Sequence, residues 1–245
     1  MSNNDWPEGV GRIVLAQVDS TLTHAARIGP ELAGPTWILA LHQTAGRGRR
    51  GRDWVDPVGN FAATLVMRPA GGPELAALRS FIAALALYEA VVAVTGRSSG
   101  LALKWPNDVL LNGGKLAGIL LESAGGGPLS IGIGVNLLNV PDVVEEGAVR
   151  PVSLLSETGA QVTPEEFLDA LVPAFSRYET QFSTYGFAPI RAAWLARAAR
   201  LGEVITARTG TEEHVGTFET VDETGALILR TSQGLRAIPA GEVYF

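Results

Sequence analysis

The segment Gly46-Arg47-Gly48-Arg49-Arg50-Gly51-Arg52-Asp53-Trp54 follows a strand-like run, Thr36–His42, and decides between two fold classes. It satisfies the G-x-G-x-x-G pattern of dinucleotide-binding folds. In those folds the glycine loop opens a helix whose N-terminus faces a pyrophosphate. Here the residues after the loop include a proline and a glycine and lead to another strand-like run, Phe61–Met67. The sequence therefore argues against a dinucleotide fold and favours a mixed sheet.

The same segment is a candidate anion-binding loop. Its four arginines offer planar charged groups that match phosphate or carboxylate, and its three glycines let the backbone approach a ligand. The whole chain carries a net charge of −6, so these cations indicate a site rather than a general attraction to polyanions. The alternatives are a solvated basic loop or a non-catalytic nucleic-acid-binding module. The acidic chain and the lack of aromatic residues on a basic face argue against nucleic acid.

The length and composition of the chain restrict the kinds of protein that it can be. A chain of 245 residues with 47% hydrophobic content can bury one substantial core with a small appended domain. The absence of cysteine excludes disulfides, thiolate metal sites and cysteine nucleophiles. Residues Met1–Asp5 lack the features of a signal peptide, and we find no run of about 18 uncharged apolar residues. We therefore expect a cytoplasmic protein with no membrane partner.

The hydrophobic pattern predicts two domains, residues 1–200 and 201–245. The predicted strands of the first are Ile13–Ala16, Thr36–His42, Phe61–Met67, Leu101–Lys104, Val109–Leu111, Lys115–Glu122 and Leu129–Leu137, with turns at 112–114 and 125–128. Its predicted helices run from Ser20 or Thr21 to near Gly29, from Pro73 to about Thr95, from Pro164 to near Phe182, and around Ile190–Arg200. After Gly202, short strands alternate with turns at 222–225 and 232–234, which is typical of a small all-β barrel.

Two further motifs are candidates for chemistry. Lys104-Trp105-Pro106-Asn107-Asp108 precedes Lys115–Glu122, a strand in which Lys115 is an isolated cation. The alternatives are a simple turn and a lysine that reaches solvent. In Ile131-Gly132-Ile133-Gly134-Val135-Asn136, alternate residues share one face, which leaves bare backbone where a flat ring or another backbone can lie. The alternative there is close packing of the long helix.

The three histidines, His24, His42 and His214, do not have the spacing of metal ligands. We assign them no role and predict no protein-bound metal site.

Taken in this order, the segments Gly46–Trp54, Lys104–Asp108, Lys115–Glu122 and Gly132–Asn136 resemble the biotin protein ligases, and the likeness covers most of residues 12–245. The resemblance implies an α+β fold, a mixed sheet with helices related to class II aminoacyl-tRNA synthetases, with an SH3-like C-terminal β-barrel. It also implies that biotin and MgATP react to biotinyl-5′-AMP and pyrophosphate. The biotinyl group then passes to a lysine of a biotin carboxyl carrier protein.

The resemblance also implies roles for individual residues. Arg49 and Lys115 would neutralise the biotin carboxylate and the α-phosphate, because step one brings two anions together. Asp108 would accept the proton of the carrier lysine, or would only position that lysine or Mg²⁺. Trp54 would stack on adenine. The remaining implied contacts are Arg52 and Asn136 for ATP, Arg47 for phosphate or loop contacts, and Ser20, Thr21, Gln43, Gly46, Gly118, Gly132 and Gly134 for biotin.

Two departures from the family pattern are visible. The family usually has Ser-Thr-Asn where this chain has Ser20-Thr21-Leu22, so one side-chain amide is missing. The ten residues before the first predicted strand leave no room for a winged helix-turn-helix, so we expect no operator DNA binding.

Lipoate or octanoate ligases are the nearest alternative function. Octanoyltransferases of this fold use a cysteine nucleophile, which this chain lacks. A lipoate ligase would be expected to lack the arginine and glycine loop in this form. The motifs fit a monomer and a homodimer equally.

Overall fold

Two β-sheets organise the chain, a seven-stranded mixed sheet and a five-stranded antiparallel sheet that follows it. This computed structural model describes residues 6–55, 57–123, 126–141, 149–210 and 212–245. The first five residues, where we expect no signal peptide, and Gly125 of the predicted glycine turn lie outside the described residues. The α+β fold with a mixed sheet that we expect from the sequence is confirmed.

The mixed sheet consists mainly of apolar strands. In chain order these are β1 (Gly11–Leu15), β2 (Thr36–Ala40), β3 (Phe61–Met67), β4 (Leu101–Lys104), β5 (Asp108–Leu111), β6 (Gly114–Ser123) and β7 (Leu129–Val135). They lie in the order β1-β2-β3-β7-β6-β5-β4, with β1 and β2 parallel and the other neighbours antiparallel. β3 is buried along its whole length because it lies between β2 and β7. β2 ends two residues before the predicted His42, since its pairing with β3 stops at Ala40.

The described residues form six α-helices, several of which pack against the mixed sheet. They are α1 (Thr21–Ile28), α2 (Pro73–Ala77), α3 (Arg79–Thr95), α4 (Leu154–Thr158), α5 (Pro164–Tyr185) and α6 (Phe187–Leu195). The capping box of Thr163 and Glu166 opens α5 as predicted, and Gly186, with φ of 73°, ends it three residues beyond Phe182. Edge-to-face contacts between Phe61 and Phe167 and between Trp37 and Phe175 join the sheet to α5.

Two helix predictions were wrong in detail, and one helix was missed. The predicted continuous helix from Pro73 to Thr95 is interrupted at Leu78. The last predicted helix begins at Phe187 and ends at Leu195, well before Arg200. The short helix α4 was not predicted at all, although Ser153 caps it through its side chain.

The segment Pro73–Thr95 has the length and hydropathy of a membrane-spanning helix, but its most apolar window is 61% buried. Within it, α3 packs against α5 and the mixed sheet. Arg79 on α3 is only 3% exposed and pairs with Glu179 of α5 at 2.7 Å. The buried part of the segment, α3, is therefore a core helix.

The C-terminal sheet contains β8 (Val204–Thr209), β9 (Glu212–Val221), β10 (Leu227–Thr231), β11 (Gly234–Ile238) and β12 (Glu242–Tyr244), in the order β11-β10-β9-β8-β12. It packs directly against the mixed-sheet part of the chain. The indole Nε1 of Trp105 donates a hydrogen bond of 3.0 Å to the Gly225 carbonyl, and Arg191 of α6 donates to the Val221 carbonyl. A Cβ at Gly225 would lie 3.0 Å from the ring of Phe81, so this approach of the two parts requires glycine. These contacts place the end of β12 beside the mixed sheet.

Candidate active site

A cavity of about 300 Å³ lies between the arginine loop (residues 46–54), the faces of β6 and β7, and β12 of the C-terminal sheet. All but two of the residues predicted to form the site line it. Those that line it are Ser20, Thr21, Gln43, Arg47, Arg49, Arg52, Trp54, Asp108, Lys115, Gly118, Gly132 and Gly134. Gly46 and Asn136 are not among the lining residues.

Buried hydroxyl and amide groups form one end of the cavity. The backbone N–H and the hydroxyl of Thr21 donate hydrogen bonds of 2.8 and 3.1 Å to Gln43 Oε1. The hydroxyl of Thr64 on β3 donates to Thr21 Oγ1 at 2.9 Å. Ser20, the N-cap residue of α1, makes no side-chain capping bond. This end of the cavity is therefore polar and uncharged.

Leu22, the departure from the family pattern, is buried beside these polar groups. A Cβ at Gly132 would lie 2.7 Å from Leu22 Cδ1, so the leucine occupies the space left by that glycine. The face of β7 at this point is covered by α1. The alternative that we gave for the glycine strip, packing of the long helix, is therefore wrong in the choice of helix.

The indole of Trp54 covers the second glycine of the strip. A Cβ at Gly134 would overlap the indole ring, and one at Gly118 would lie 3.3 Å from Trp54 Cζ3. A flat ring is expected on this bare backbone from the sequence, and that ring is the indole of Trp54, a side chain of the same protein. The buried Nε1 of Trp54 has no hydrogen-bond partner within the described part of the chain. One face of the indole is in contact with the strands, and only the other can stack on a ligand.

Two lysines and one carboxylate form the floor of the cavity. Asp108 Oδ1 lies 2.8 Å from Lys115 Nζ, and Asp108 Oδ2 lies 3.8 Å from Lys104 Nζ. Burial lowers the pKa of Lys104, and the charge of Asp108 opposes that change. Lys104 belongs to the motif Lys104–Asp108 but was not predicted to line the site.

Arg49 connects the arginine loop to both sheets. Its guanidinium donates to Asn107 Oδ1 at 3.1 Å and to the Gly241 carbonyl at 3.2 Å. Burial lowers the pKa of the Arg49 guanidinium, which remains protonated at neutral pH. Asn107 was not predicted as a site residue, although its position in the motif next to Asp108 could have indicated it.

The C-terminal sheet contributes a carboxylate that no sequence motif indicated. Glu242 lies 3.2 Å from Arg50 and 3.3 Å from Arg52, and it accepts a hydrogen bond of 2.7 Å from the Tyr244 hydroxyl. Burial acts against its ionisation, but the Tyr244 hydroxyl and these arginines lower the pKa of Glu242. Phe245 also lines the cavity, with its ring 5.7 Å from Lys104 Nζ.

The charges of the lining residues favour an anionic ligand. Five cationic side chains and three carboxylates line the cavity, although the chain as a whole carries a net charge of −6. Among the described residues, no group of three His, Cys, Asp or Glu side chains could hold a metal ion. The site can therefore bind an anion at its cationic floor and a neutral polar group at its other end.

Asn136 lies behind the floor. Its side-chain amide donates to the Val152 carbonyl at 3.2 Å, and its backbone N–H donates to the Leu116 carbonyl at 2.9 Å. The backbone N–H of Lys115 donates in turn to the Arg150 carbonyl at 2.8 Å. In this conformation Asn136 fixes the backbone around Lys115.

Comparisons with known proteins agree with this geometry. Residues 14–137 match the biotin/lipoate A/B protein ligase family, and residues 201–245 match the biotin protein ligase C-terminal domain. The chain is 61% identical over 238 residues to a biotin–[acetyl-CoA-carboxylase] ligase of Paracoccus denitrificans, covering 95% of this chain and 99% of the relative. It is 31% identical to the bifunctional ligase/repressor BirA of Escherichia coli, covering 96% of this chain and 74% of that relative.

Among solved structures, the biotin protein ligase of Aquifex aeolicus in complex with biotin and ATP superposes with a TM-score of 0.82. The two chains are 28% identical, and the match covers 95% of this chain and 97% of the other. Together with the sequence matches, this places the chain among the biotin protein ligases, within the biotin/lipoate A/B protein ligase family.

Proposed function

We propose that this protein is a biotin–[acetyl-CoA-carboxylase] ligase, which activates biotin with ATP and transfers it to a lysine of a biotin carboxyl carrier domain. The observation that carries the proposal is the single cavity that joins an uncharged polar end to a cationic floor. Biotin has matching parts, a neutral ureido ring at one end and a carboxylate at the other. We place the reaction in the cytoplasm.

In the first step, a carboxylate oxygen of biotin attacks the α-phosphorus of ATP, and pyrophosphate leaves with the electrons of the broken P–O bond. Biotin is already ionised at neutral pH, so no base is needed. Arg49 and Lys115 neutralise the carboxylate and the α-phosphate as they meet. Since Asp108 lies 2.8 Å from Lys115 in this structure, the lysine must share its charge between that carboxylate and the ligand.

In the second step, the neutral amine of the carrier lysine attacks the acyl carbon, and AMP leaves with the electrons of the acyl C–O bond. The amine loses a proton as the amide forms. Asp108 accepts that proton or holds the incoming lysine, because its carboxylate lies on β5, between the strands that carry Lys104 and Lys115. The exposed face of Trp54 stacks on adenine.

Mg²⁺ enters this scheme as the counter-ion of ATP. The described residues contain no group of three His, Cys, Asp or Glu side chains that could hold it, so its ligands in this scheme are the phosphates of ATP and water. Gly46 and Asn136, which do not line the cavity, act through their neighbours. Gly46 allows the loop to pass close to the Trp54 carbonyl, and Asn136 fixes the backbone around Lys115.

The polar end of the cavity favours biotin over lipoate and octanoate. Ser20, Thr21 and Gln43 are buried there and can exchange hydrogen bonds with a ureido group. An octanoyl chain or a dithiolane ring has no such groups and would form no hydrogen bonds with these side chains.

ATP–pyrophosphate exchange tests the proposal, with biotin, lipoate and octanoate offered separately and no carrier present. Biotin alone should support exchange. Exchange with lipoate or octanoate alone would move the protein to the neighbouring ligase class, and no exchange with any acid would contradict the adenylation step. Transfer of labelled biotin to an acetyl-CoA carboxylase carrier domain then tests the second step.

A further inference from the structure

The chain is almost devoid of lysine. Of its 19 cationic residues, Lys104 and Lys115 are the two lysines, and the others are arginines. A guanidinium stays protonated at neutral pH, whereas a lysine can lose its proton and become a nucleophilic amine. Nearly every cation of this protein is therefore inert towards an activated acyl group.

Both lysines lie in the cavity and contact the same carboxylate. Lys104 is the last residue of β4, Asp108 is the first of β5, and Lys115 is the second of β6. Asp108 lies 2.8 Å from Lys115 Nζ and 3.8 Å from Lys104 Nζ. The side-chain amines of the chain are thus gathered at the floor of the cavity rather than on the outer surface.

Lys104 is the more enclosed of the two amines. Its side chain is 10% exposed, and the ring of Phe245 lies 5.7 Å from its Nζ. Burial lowers the pKa of Lys104, while Asp108 and then Glu242 act to raise it and Lys115 and Arg49 add to the lowering. Asp108 is therefore the main group that keeps this buried amine protonated.

Acylation of these lysines would be the side reaction of the proposed function, on which this inference rests. A neutral lysine nitrogen would bond to the acyl carbon of biotinyl-5′-AMP. The acyl C–O bond would break, AMP would leave with its electron pair, and the proton of the amine would pass to solvent. Because Lys115 contacts the ligand in the proposed mechanism, the activated acyl group forms next to it.

We propose that Asp108 protects the enzyme from acylating itself, by holding the amines of Lys104 and Lys115 in ion pairs beside the activated acyl group. This function is separate from any role of Asp108 in transfer to the carrier. Asp108 also remains the partner of the two cavity lysines when no ligand is bound. Arginine at the other cationic positions removes competing targets from the rest of the chain.

The test adds chemically prepared biotinyl-5′-AMP to the 245-residue protein, without ATP or carrier, and maps biotinyl amides by peptide mass spectrometry. Wild-type protein should carry little label on Lys104 or Lys115. The Asp108→Asn protein should carry about tenfold more, because the two amines lose the carboxylate that holds them in ion pairs. Equal labelling of the two proteins would overturn the proposal.

Matched variants assign the label. Adding Lys104→Arg or Lys115→Arg to Asp108→Asn should abolish the label at the substituted position. The Asp53→Asn protein loses a different carboxylate that lines the cavity and should stay at the wild-type level. If labelling in the Asp53→Asn protein rose as much as in the Asp108→Asn protein, the specific role of Asp108 would be overturned.

A positive control shows that the reagent reaches an unprotected lysine. Arg150 is exposed and adjacent to Val149, which lines the cavity, so Arg150→Lys should be labelled at position 150. If the Arg150→Lys protein were not labelled at position 150, the proposal that arginine removes competing targets for acylation would be overturned. Because the adenylate is supplied, these outcomes do not depend on the first step, and failure of the proposed function would appear instead as absent exchange with biotin.

Discussion

Arg49 joins three parts of the molecule through one side chain, since it lies in the arginine loop and donates to Asn107 and to the Gly241 carbonyl. We expect Arg49→Ala to lower the turnover of biotin-dependent exchange about a hundredfold, because it removes a cation from the developing charge. The variant should also release adenylate or bind biotin poorly, while circular dichroism shows an intact fold. Arg12→Ala, which removes an exposed ion pair with Asp169, is the control. Unchanged turnover and ligand affinity in the Arg49 variant would contradict the assignment.

The absence of a side chain at Gly134 leaves room for the indole of Trp54. A Cβ there would overlap the indole of Trp54, so Gly134→Ala should displace the ring. We expect the KM for ATP to rise about tenfold or more, since stacking on a base contributes roughly 1–3 kcal/mol. Gly72→Ala is the control, because no atom lies within 4 Å of the added Cβ. Equal values of KM in both variants would show that the indole does not contact the nucleotide.

Most residues that line the cavity could be predicted because the motifs that contain them, taken in order, resemble those of the biotin protein ligases. Taken alone, the segments of Arg49, Asp108 and Lys115 also fit a solvated loop, a turn and a lysine that reaches solvent. Glu242 could not be predicted, since it meets Arg52 across 190 positions of sequence and stands in an ordinary strand. Lys104 and Asn107 were within reach of the same reasoning, because they flank the turn that presents Asp108.

The pair of helices α3 and α5 contains a buried ion pair that should dominate their local energetics. Arg79 is 3% exposed, and its partner Glu179 lies 2.7 Å away. Glu179→Ala should cost about 3 kcal/mol in free energy of unfolding, because it leaves a buried charge without its partner. Arg177→Ala breaks an exposed pair with Glu89 and should cost less than about 1 kcal/mol. Urea unfolding measures both, and similar costs would show that Arg79 is well solvated.

The capping box of α5 should make stability depend on pH. Hydrogen bonds from the backbone N–H and then the side chain of Thr163 lower the pKa of Glu166 from 4.5. A carboxyl with a lowered pKa in the folded state stabilises the protein above its unfolded pKa and loses that effect as pH falls through the folded value. Wild type should therefore be more stable than Glu166→Gln near neutral pH, and the difference should shrink below pH 4.5.

Urea unfolding at several pH values measures this difference. Glu165→Gln is the matched control, because the neighbouring carboxylate is not part of the capping box. A difference between wild type and Glu166→Gln that stays constant from neutral to acidic pH would rule out the cap as its source.

At the level of elements, strands were easier to predict than helix ends. β3 and β4 have the predicted bounds because their apolar runs are bordered by polar or turn residues. The break at Leu78 could not be predicted, since the apolar pattern continues across it and the hydrogen bond of 2.9 Å from the Arg79 side chain to the Leu75 carbonyl leaves no mark in that pattern. Helix α4 is only five residues long, so its pattern is too short to show a period.

The two sheets should behave as one unit in function. Trp105→Phe removes the hydrogen bond from Nε1 to the buried Gly225 carbonyl, which should cost about 1–3 kcal/mol in free energy of unfolding. Because β12 lines the cavity, exchange activity should also fall. Trp6→Phe removes a similar indole bond, to the Val10 carbonyl, away from the sheet contact, and should leave activity unchanged. Thermal unfolding and exchange assays on both variants make the comparison, and equal activity would show that the sheets act separately.

The presence of two sheets was predictable because the pattern changes at Gly202. Their mutual placement was not, because it depends on contacts such as that between Gly225 and Phe81, which no local pattern encodes. The same holds for the closure of the cavity by β12.

The cavity takes side chains from Ser20 near one end of the chain and from Phe245 near the other. No partly folded chain can therefore present the complete site, and contacts of such long sequence separation form slowly. During refolding, ligand affinity should be among the last properties to return, after helical content has recovered. A ligand that binds only the native state will shift late folding intermediates towards that state. The substrate therefore promotes the folding of the enzyme that uses it.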